Sequence, residues 1–285
     1  MEVRFWGVRG SYPASGAVFS EFGHHTICVS AQMGDELIVL DAGSGATALG
    51  EYLRANPVRH VRVLISHFHH DHLVGLPFLL HGACADPRTT VALHCALPIE
   101  PRLEELIRPM ISAPYFPDEA GDLAGRISYN RHAPGESFVL GEALARSTLV
   151  EHPGGAVAYR VEKDGAAIVF VTDIEDQAQP SRDLVALAEG ADLLMHDTMF
   201  TSEEILTRRG WGHGTSEGAL SLARAAQVHR LAGFHHNPLH DDTLLRAREK
   251  ALRSEFPASC LAREGQIIQM ANAASNPARN LQASA

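Results

Sequence analysis

The chain of 285 residues is 45% hydrophobic and carries a formal charge of −10 with neutral histidines, enough to bury a full core and expected to form one domain over residues 1–272. No block of five or six Lys and Arg occurs, which argues against a basic track for extended nucleic acid. Apolar runs break within ten residues, so neither a signal peptide nor a membrane span is expected, and Cys28, Cys84, Cys95 and Cys260 form no C-x-x-C pair, so they read as reduced thiols of a soluble cytoplasmic protein.

Short runs rich in β-branched residues, each bounded by Gly, Asp, Ser or Pro, predict strands at Val3–Trp6, Thr26–Val29, Leu37–Leu40 and Val61–Ile65. Helical spacing predicts helices at Thr47–Arg54 and Glu100–Met110, with a further helix opening at His72–Leu76. Ser112–Gly135, crowded with Pro, Gly and Asp, predicts a long loop of the kind that walls active sites. The second half predicts strands at Ala143–Val150, Ala156–Val161, Ala167–Val171, Asp192–Met195, Arg230–Phe234 and Gln266–Met270. Helices follow at Ser181–Ala188, Thr215–Gln227 and Asp241–Arg253, the last two opened by N-cap residues. Residues 273–285, rich in Ala, Asn and Ser, read as a frayed tail. Two strand-rich halves with interspersed helices imply two face-to-face sheets in a four-layer α/β/β/α arrangement.

The stretch His67-Phe68-His69-His70-Asp71-His72 crowds metal-ligand side chains immediately after an apolar strand run. In extended chain alternate side chains share a direction, so His67 and His69 suit one cation, while Asp71 and His72 face elsewhere and suit a second. Four more strand ends carry ligand-type residues: His152, Asp173, the pair His196 and Asp197, and the pair His235 and His236.

This ordered set resembles the metallo-β-lactamase-fold hydrolases. The resemblance runs from Phe5-Trp6-Gly7-Val8-Arg9-Gly10-Ser11 through the His67-x-His69-x-Asp71-His72 motif to about Met270. It implies an αββα sandwich with a dinuclear site at one edge. His67, His69 and His152 would hold the first metal; Asp71, His72 and His235 the second; the Asp173 carboxylate would bridge. His235 is preferred to His236 because it directly follows the apolar run, which leaves His236 as a neighbour of the pocket; His70 would face away. Asp41 is either a carboxylate beneath the ligand loop or a turn-former.

Imidazole and carboxylate donors suit two divalent ions, Zn²⁺ first and Mn²⁺ or Fe²⁺ next, and such ions turn water into a nucleophile near neutral pH. Trp211-Gly212-His213-Gly214-Thr215-Ser216-Glu217 resembles a segment of the phosphodiesterase branch, which includes the tRNA 3′-end nucleases and cyclic-nucleotide phosphodiesterases. It implies that His213 assists the leaving oxygen with Asp197 orienting it, so His213, Asp71 and Asp197 are the expected catalytic residues. With no insertion resembling the tRNA-holding arm and an acidic chain, the expected substrate is a small anionic phosphodiester such as a cyclic nucleotide. The alternatives are an acyl hydrolase acting on a thioester or lactone, and a non-catalytic metal-binding module. His24 and His25 are either polar contacts near the pocket or surface imidazoles. The resemblance also implies a homodimer.

Overall fold

In the computed structural model, which describes residues 1–117 and 125–270, the β-branched apolar runs pair into two sheets. The strands in chain order are β1 (Glu2–Gly7), β2 (Cys28–Met33), β3 (Glu36–Leu40), β4 (His60–Ile65), β5 (Thr90–Cys95), β6 (Ile127–Arg131), β7 (Ser137–Leu140), β8 (Ala143–Val150), β9 (Ala156–Lys163), β10 (Ala166–Val171), β11 (Leu193–Asp197), β12 (Leu231–Phe234), β13 (Ser259–Leu261) and β14 (Ile267–Gln269). One sheet runs β14-β1-β2-β3-β4-β5-β6 and the other β13-β12-β11-β10-β9-β8-β7. Each is mixed: β3 through β6, and β10 through β13, pair in parallel, and the remaining pairs are antiparallel.

A continuous core joins the sheets, with Phe5, Leu40 and Val63 of the first in one cluster with Val161, Phe170 and Phe234 of the second. The helices are α1 (Ala46–Ala55), α2 (Leu76–Ala83), α3 (Leu103–Ile107), α4 (Arg182–Ala188), α5 (Ser216–Ala225) and α6 (Asp242–Glu255). Leu49 and Leu53 of α1 and Leu76, Leu79 and Leu80 of α2 extend the core of the first half. Leu184, Leu187, Ala219, Leu222, Leu245 and Leu252 of α4, α5 and α6 cluster with Val169, Val171, Leu194 and Leu231 of the second sheet. The architecture is the αββα sandwich.

Three expectations are corrected. The chain does not enter a helix at His72: His70–His72 makes a 3₁₀ turn, and α2 begins only at Leu76, with Pro77 in its first turn. The expected loop Ser112–Gly135 contains β6, which finds a parallel partner in β5; its residues 118–124 lie outside the described residues. Glu100–Met110 is helical only over α3 and then tightens into a 3₁₀ turn, Arg108–Ile111, opened by Pro109 near its start. The expected tail, residues 273–285, lies outside the described residues.

Because β8 and β10 are parallel to each other through β9, and β10 to β12 are parallel, their carboxyl ends reach one edge. Asp41 and His67 follow β3 and β4, while His152, Asp173, Asp197 and His235 follow or end β8, β10, β11 and β12. Crevices beyond the carboxyl ends of parallel strands are where such sheets bind ligands.

Candidate metal centre

The structure gathers the other six residues expected as ligands around Asp173. Its Oδ2 lies 3.6 Å from Nε2 of both His67 and His152, and its Oδ1 lies 3.2 Å from Nε2 of His72 and 2.9 Å from Nε2 of His235. His152 Nε2 faces His69 Nδ1 at 3.1 Å. On the other side, Asp71 Oδ2 lies 3.3 Å from His72 Nε2 and 3.5 Å from His235 Nε2. One carboxylate thus divides its two oxygens between two groups of donors. In each of the sets His67, His69, His152, Asp173 and Asp71, His72, His235, one ligand atom per residue lies within 4.8 Å of the others.

The donors fit divalent cations. Nε2 of His67, His72 and His235 is buried with no hydrogen-bond partner, a costly state that a bound ion removes. The opposite ring nitrogens of His67, His72 and His152 are anchored, while Nδ1 of His235 has no hydrogen-bond partner. His72 Nδ1 donates to Asp41 Oδ2 at 2.7 Å, and His152 Nδ1 donates to the Gly212 carbonyl at 2.8 Å. Ser66 Oγ donates to Asp41 Oδ2 at 2.6 Å and receives His67 Nδ1–H at 2.9 Å. These bonds select the tautomers whose lone pairs point into the cluster. Asp41, placed by the resemblance beneath the ligand loop, stands there, and Ser66 N–H donates to its Oδ1 at 2.7 Å.

Backbone geometry at the edge is unusual. Asp41, Asp173 and His235 have φ of 56°, 48° and 56°, a left-handed conformation that Asp tolerates better than most residues. Gly10 lies so close to His235 that any β-carbon there collides with the imidazole. Ser11 N–H donates to Asp71 Oδ2 at 2.7 Å, so the Gly7–Ser11 motif frames the ligands from the N-terminal loop.

The two groups of donors differ electrically. Burial holds His67, His69 and His152 below the ordinary imidazole range, and neighbouring imidazoles add to it, so these rings are neutral donors. Burial opposes protonation of His72 and His235 as well, but Asp173, with Asp71 and Asp41 at His72 and Asp197 at His235, outweighs it; His72 is raised and His235 reaches about 10. Burial alone would raise Asp173 and Asp71, yet His235 and His72 hold Asp173, and His72 and His235 hold Asp71, well below the usual carboxylate range. A cation entering this second group takes the place of protons.

His213 Nδ1 lies 3.0 Å from Asp197 Oδ2 and 3.8 Å from Asp173 Oδ2. Asp197 is fully buried, and its Oδ1 accepts Met199 N–H at 2.8 Å. Thr215 caps α5 by accepting Gly218 N–H at 3.1 Å, which fixes the chain just beyond His213. His69, exposed, marks the open side of the cluster.

The remaining histidines lie elsewhere. His236 is buried and pairs with the Ala262 carbonyl at 2.9 Å, so it turns from the cluster and does not border it. His196 pairs with the Asp197 carbonyl at 2.7 Å, and His70 is exposed outside the donor sets. His24 pairs with the Gly16 carbonyl and His25 with Ser44 Oγ, so neither joins the donors. Sequence reasoning missed Ser66, Ser11 and Glu175. Ser66 precedes His67 and Glu175 is two residues beyond Asp173, a proximity that could have marked both.

The sequence model of the beta-lactamase superfamily domain matches residues 37–236. The chain belongs to the beta-lactamase superfamily. Among its relatives is ribonuclease Z of Pyrococcus horikoshii, 24% identical over 287 aligned positions that cover 86% of this chain and 90% of the relative. The metallo-β-lactamase-fold protein YhfI of Bacillus subtilis superposes with a TM-score of 0.71 at 20% identity, covering 94% of this chain and 99% of that one. Human tRNase Z, short form, superposes with a TM-score of 0.68 at 19% identity, covering 95% and 100%. As a member of this superfamily the chain is a metal-dependent hydrolase, and its His/Asp cluster fits divalent metal. Ribonuclease Z is a nuclease by name, so these relatives support the phosphodiester and not the small substrate expected from the sequence. Among the described residues no helix is long and apolar enough to cross a membrane.

Proposed function

We propose that the chain is a dinuclear phosphodiesterase that cleaves a small nucleotide phosphodiester. The observation that carries this reading is the Asp173 carboxylate, one oxygen toward His67 and His152 and the other toward His72 and His235, with the His213–Asp197 pair beside it. His67, His69 and His152 would hold one ion and Asp71, His72 and His235 the other, with Asp173 offering one oxygen toward each group; zinc is the first choice, with manganese or iron next. Two such ions supply an acidified water as nucleophile and positive charge for the phosphoryl oxygens. Asp197 keeps His213 Nδ1 protonated and oriented, and the opposite ring nitrogen delivers a proton to the departing oxygen. The four unpaired cysteines suit a reducing compartment, and we place the protein in the cytoplasm.

The small substrate is favoured by the charge of −10 and by the connection between His152 and Asp173, which is filled by β9, β10 and the tight turn Asp164-Gly165. An RNA end is the second reading, favoured by the relatives named ribonuclease Z. Metal analysis and a panel of cyclic nucleotides, short RNA, bis(p-nitrophenyl) phosphate, a thioester and a lactone test the proposal. The expected result is about two metal equivalents and turnover of phosphodiesters that a chelator abolishes and Zn²⁺ or Mn²⁺ restores. Less than one equivalent after reconstitution, or acyl turnover alone, overturns it; a higher kcat/KM on RNA than on cyclic nucleotides selects the second reading.

A further inference from the structure

Trp211 is 59% exposed, leaving much of its indole in water. A lone exposed aromatic is ordinary; the loop that presents this one is not. Gly210 and Gly212, on either side, adopt φ of 82° and 81°. The Glu175 carboxylate accepts the N–H of Gly210 at 2.8 Å and of Gly212 at 2.7 Å. The Gly212 carbonyl in turn receives His152 Nδ1, and a β-carbon at Gly212 collides with the same imidazole. Backbone on both sides of the indole is therefore locked, through Glu175 to the strand end carrying Asp173 and through Gly212 to His152.

The indole also has a defined inner contact. Its ring meets Phe200 edge-on at 6.3 Å, and Phe200 meets His213 edge-on at 5.7 Å, which sets Trp211 one ring away from His213. The Arg208 guanidinium lies 5.2 Å from the Phe200 ring and 6.0 Å from the indole. A rigid, solvent-facing indole with a guanidinium at its side, beside phosphodiester chemistry, matches how proteins stack nucleobases.

We propose that Trp211 is a specificity-determining residue that stacks the nucleobase of the nucleotide carrying the scissile phosphodiester. The inference rests on the phosphodiesterase reading for the position of the phosphate, but its test does not depend on turnover. The chain has two tryptophans. The other, Trp6, is buried, with Nε1 donating to Ser30 Oγ at 2.8 Å, and supplies a constant background. Titrating the metal-loaded protein with adenosine 5′-monophosphate is expected to quench tryptophan fluorescence saturably. Ribose 5-phosphate should not, and W211F should lose the response. Equal responses to the two ligands, or none with the nucleotide, overturn the proposal.

Kinetics supply the second arm, with two esters sharing one leaving group: adenosine 5′-(p-nitrophenyl phosphate) and methyl p-nitrophenyl phosphate. Base stacking of about 1–3 kcal/mol corresponds to about 5- to 150-fold. W211A should lose that factor in KM for the nucleoside ester alone, with metal content unchanged, and W211F should recover most of it. Parallel losses on both esters show a structural role and overturn the proposal. Saturable quenching without turnover of either ester keeps the stacking site and refutes the phosphodiesterase reading instead. Repeating the titration with a short oligoribonucleotide distinguishes a free nucleotide from an RNA end as the source of the base.

Discussion

Replacing Asp197 with Asn tests the proton-delivery role of His213. The carboxylate is fully buried, 3.0 Å from His213 Nδ1, and also accepts Met199 N–H. Asn preserves the volume and the Met199 contact through its carbonyl oxygen. Its amide then faces His213, so Nδ1 loses the carboxylate acceptor that held its proton and the hydrogen bond reverses. Losing one charge-assisted hydrogen bond costs about 1.5–3 kcal/mol, which corresponds to about 10- to 150-fold in kcat. The loss should depend on the leaving group, because an alkoxide needs a proton and p-nitrophenolate does not. The assay compares kcat of D197N and the unaltered protein, both metal-saturated, on a nucleotide diester with an alkoxide leaving group and on its p-nitrophenyl counterpart. Equal losses on the two esters, or no loss on the first, refute the assignment of His213 as proton donor.

Removing the carboxylate beneath His72 acts on the metal instead. D41A deletes the acceptor of His72 Nδ1, Ser66 N–H and Ser66 Oγ–H, and should weaken metal affinity about 10- to 100-fold in competition titrations against a chelator; unchanged affinity contradicts the anchoring role. A distant histidine should contribute to acid stability. His94 is buried against His132, 3.0 Å away, and burial, reinforced by His132 and Arg62, lowers it to about 3. The unfolded chain, titrating near the ordinary 6.5, therefore binds a proton that the folded chain excludes as pH falls from 6.5 toward 3. The resulting destabilisation reaches about 2–3 kcal/mol by pH 4.5. Urea unfolding of the chelated protein at pH 7 and 4.5 should show a smaller acid loss in H94L by that amount, and identical pH dependence in the two proteins rejects it.

What the sequence made legible follows from how directly each feature depends on local pattern. Apolar runs such as Val61–Ile65 and Ala167–Val171 announce strands, and ligand types at their ends announce a site, because parallel strands deliver their carboxyl ends together. Leu76–Ala83 escaped because the segment Leu-Pro-Phe-Leu-Leu-His-Gly-Ala is apolar nearly throughout and lacks a helical stripe. Ile127–Arg131 escaped because only its pairing with β5 makes it a strand. The choice between His235 and His236 rests on backbone direction: His235 has φ of 56° and faces Asp173, and its neighbour faces Ala262. The clasp of Gly210 and Gly212 by Glu175 spans 35 and 37 residues, a separation that no local window reads.

The division of the donors between the sheets has a consequence for the life of the protein. His67, His69, Asp71 and His72 belong to the half that builds most of the first sheet, and His152, Asp173 and His235 to the half that builds the second. An ion held by both halves is a cross-link, and its binding energy favours their remaining docked. At a free metal concentration a hundred times Kd, this adds about 2.7 kcal/mol to folding. Metal supply is therefore expected to set lifetime as well as rate, with metal-stripped protein cleaved faster by proteases than the loaded protein.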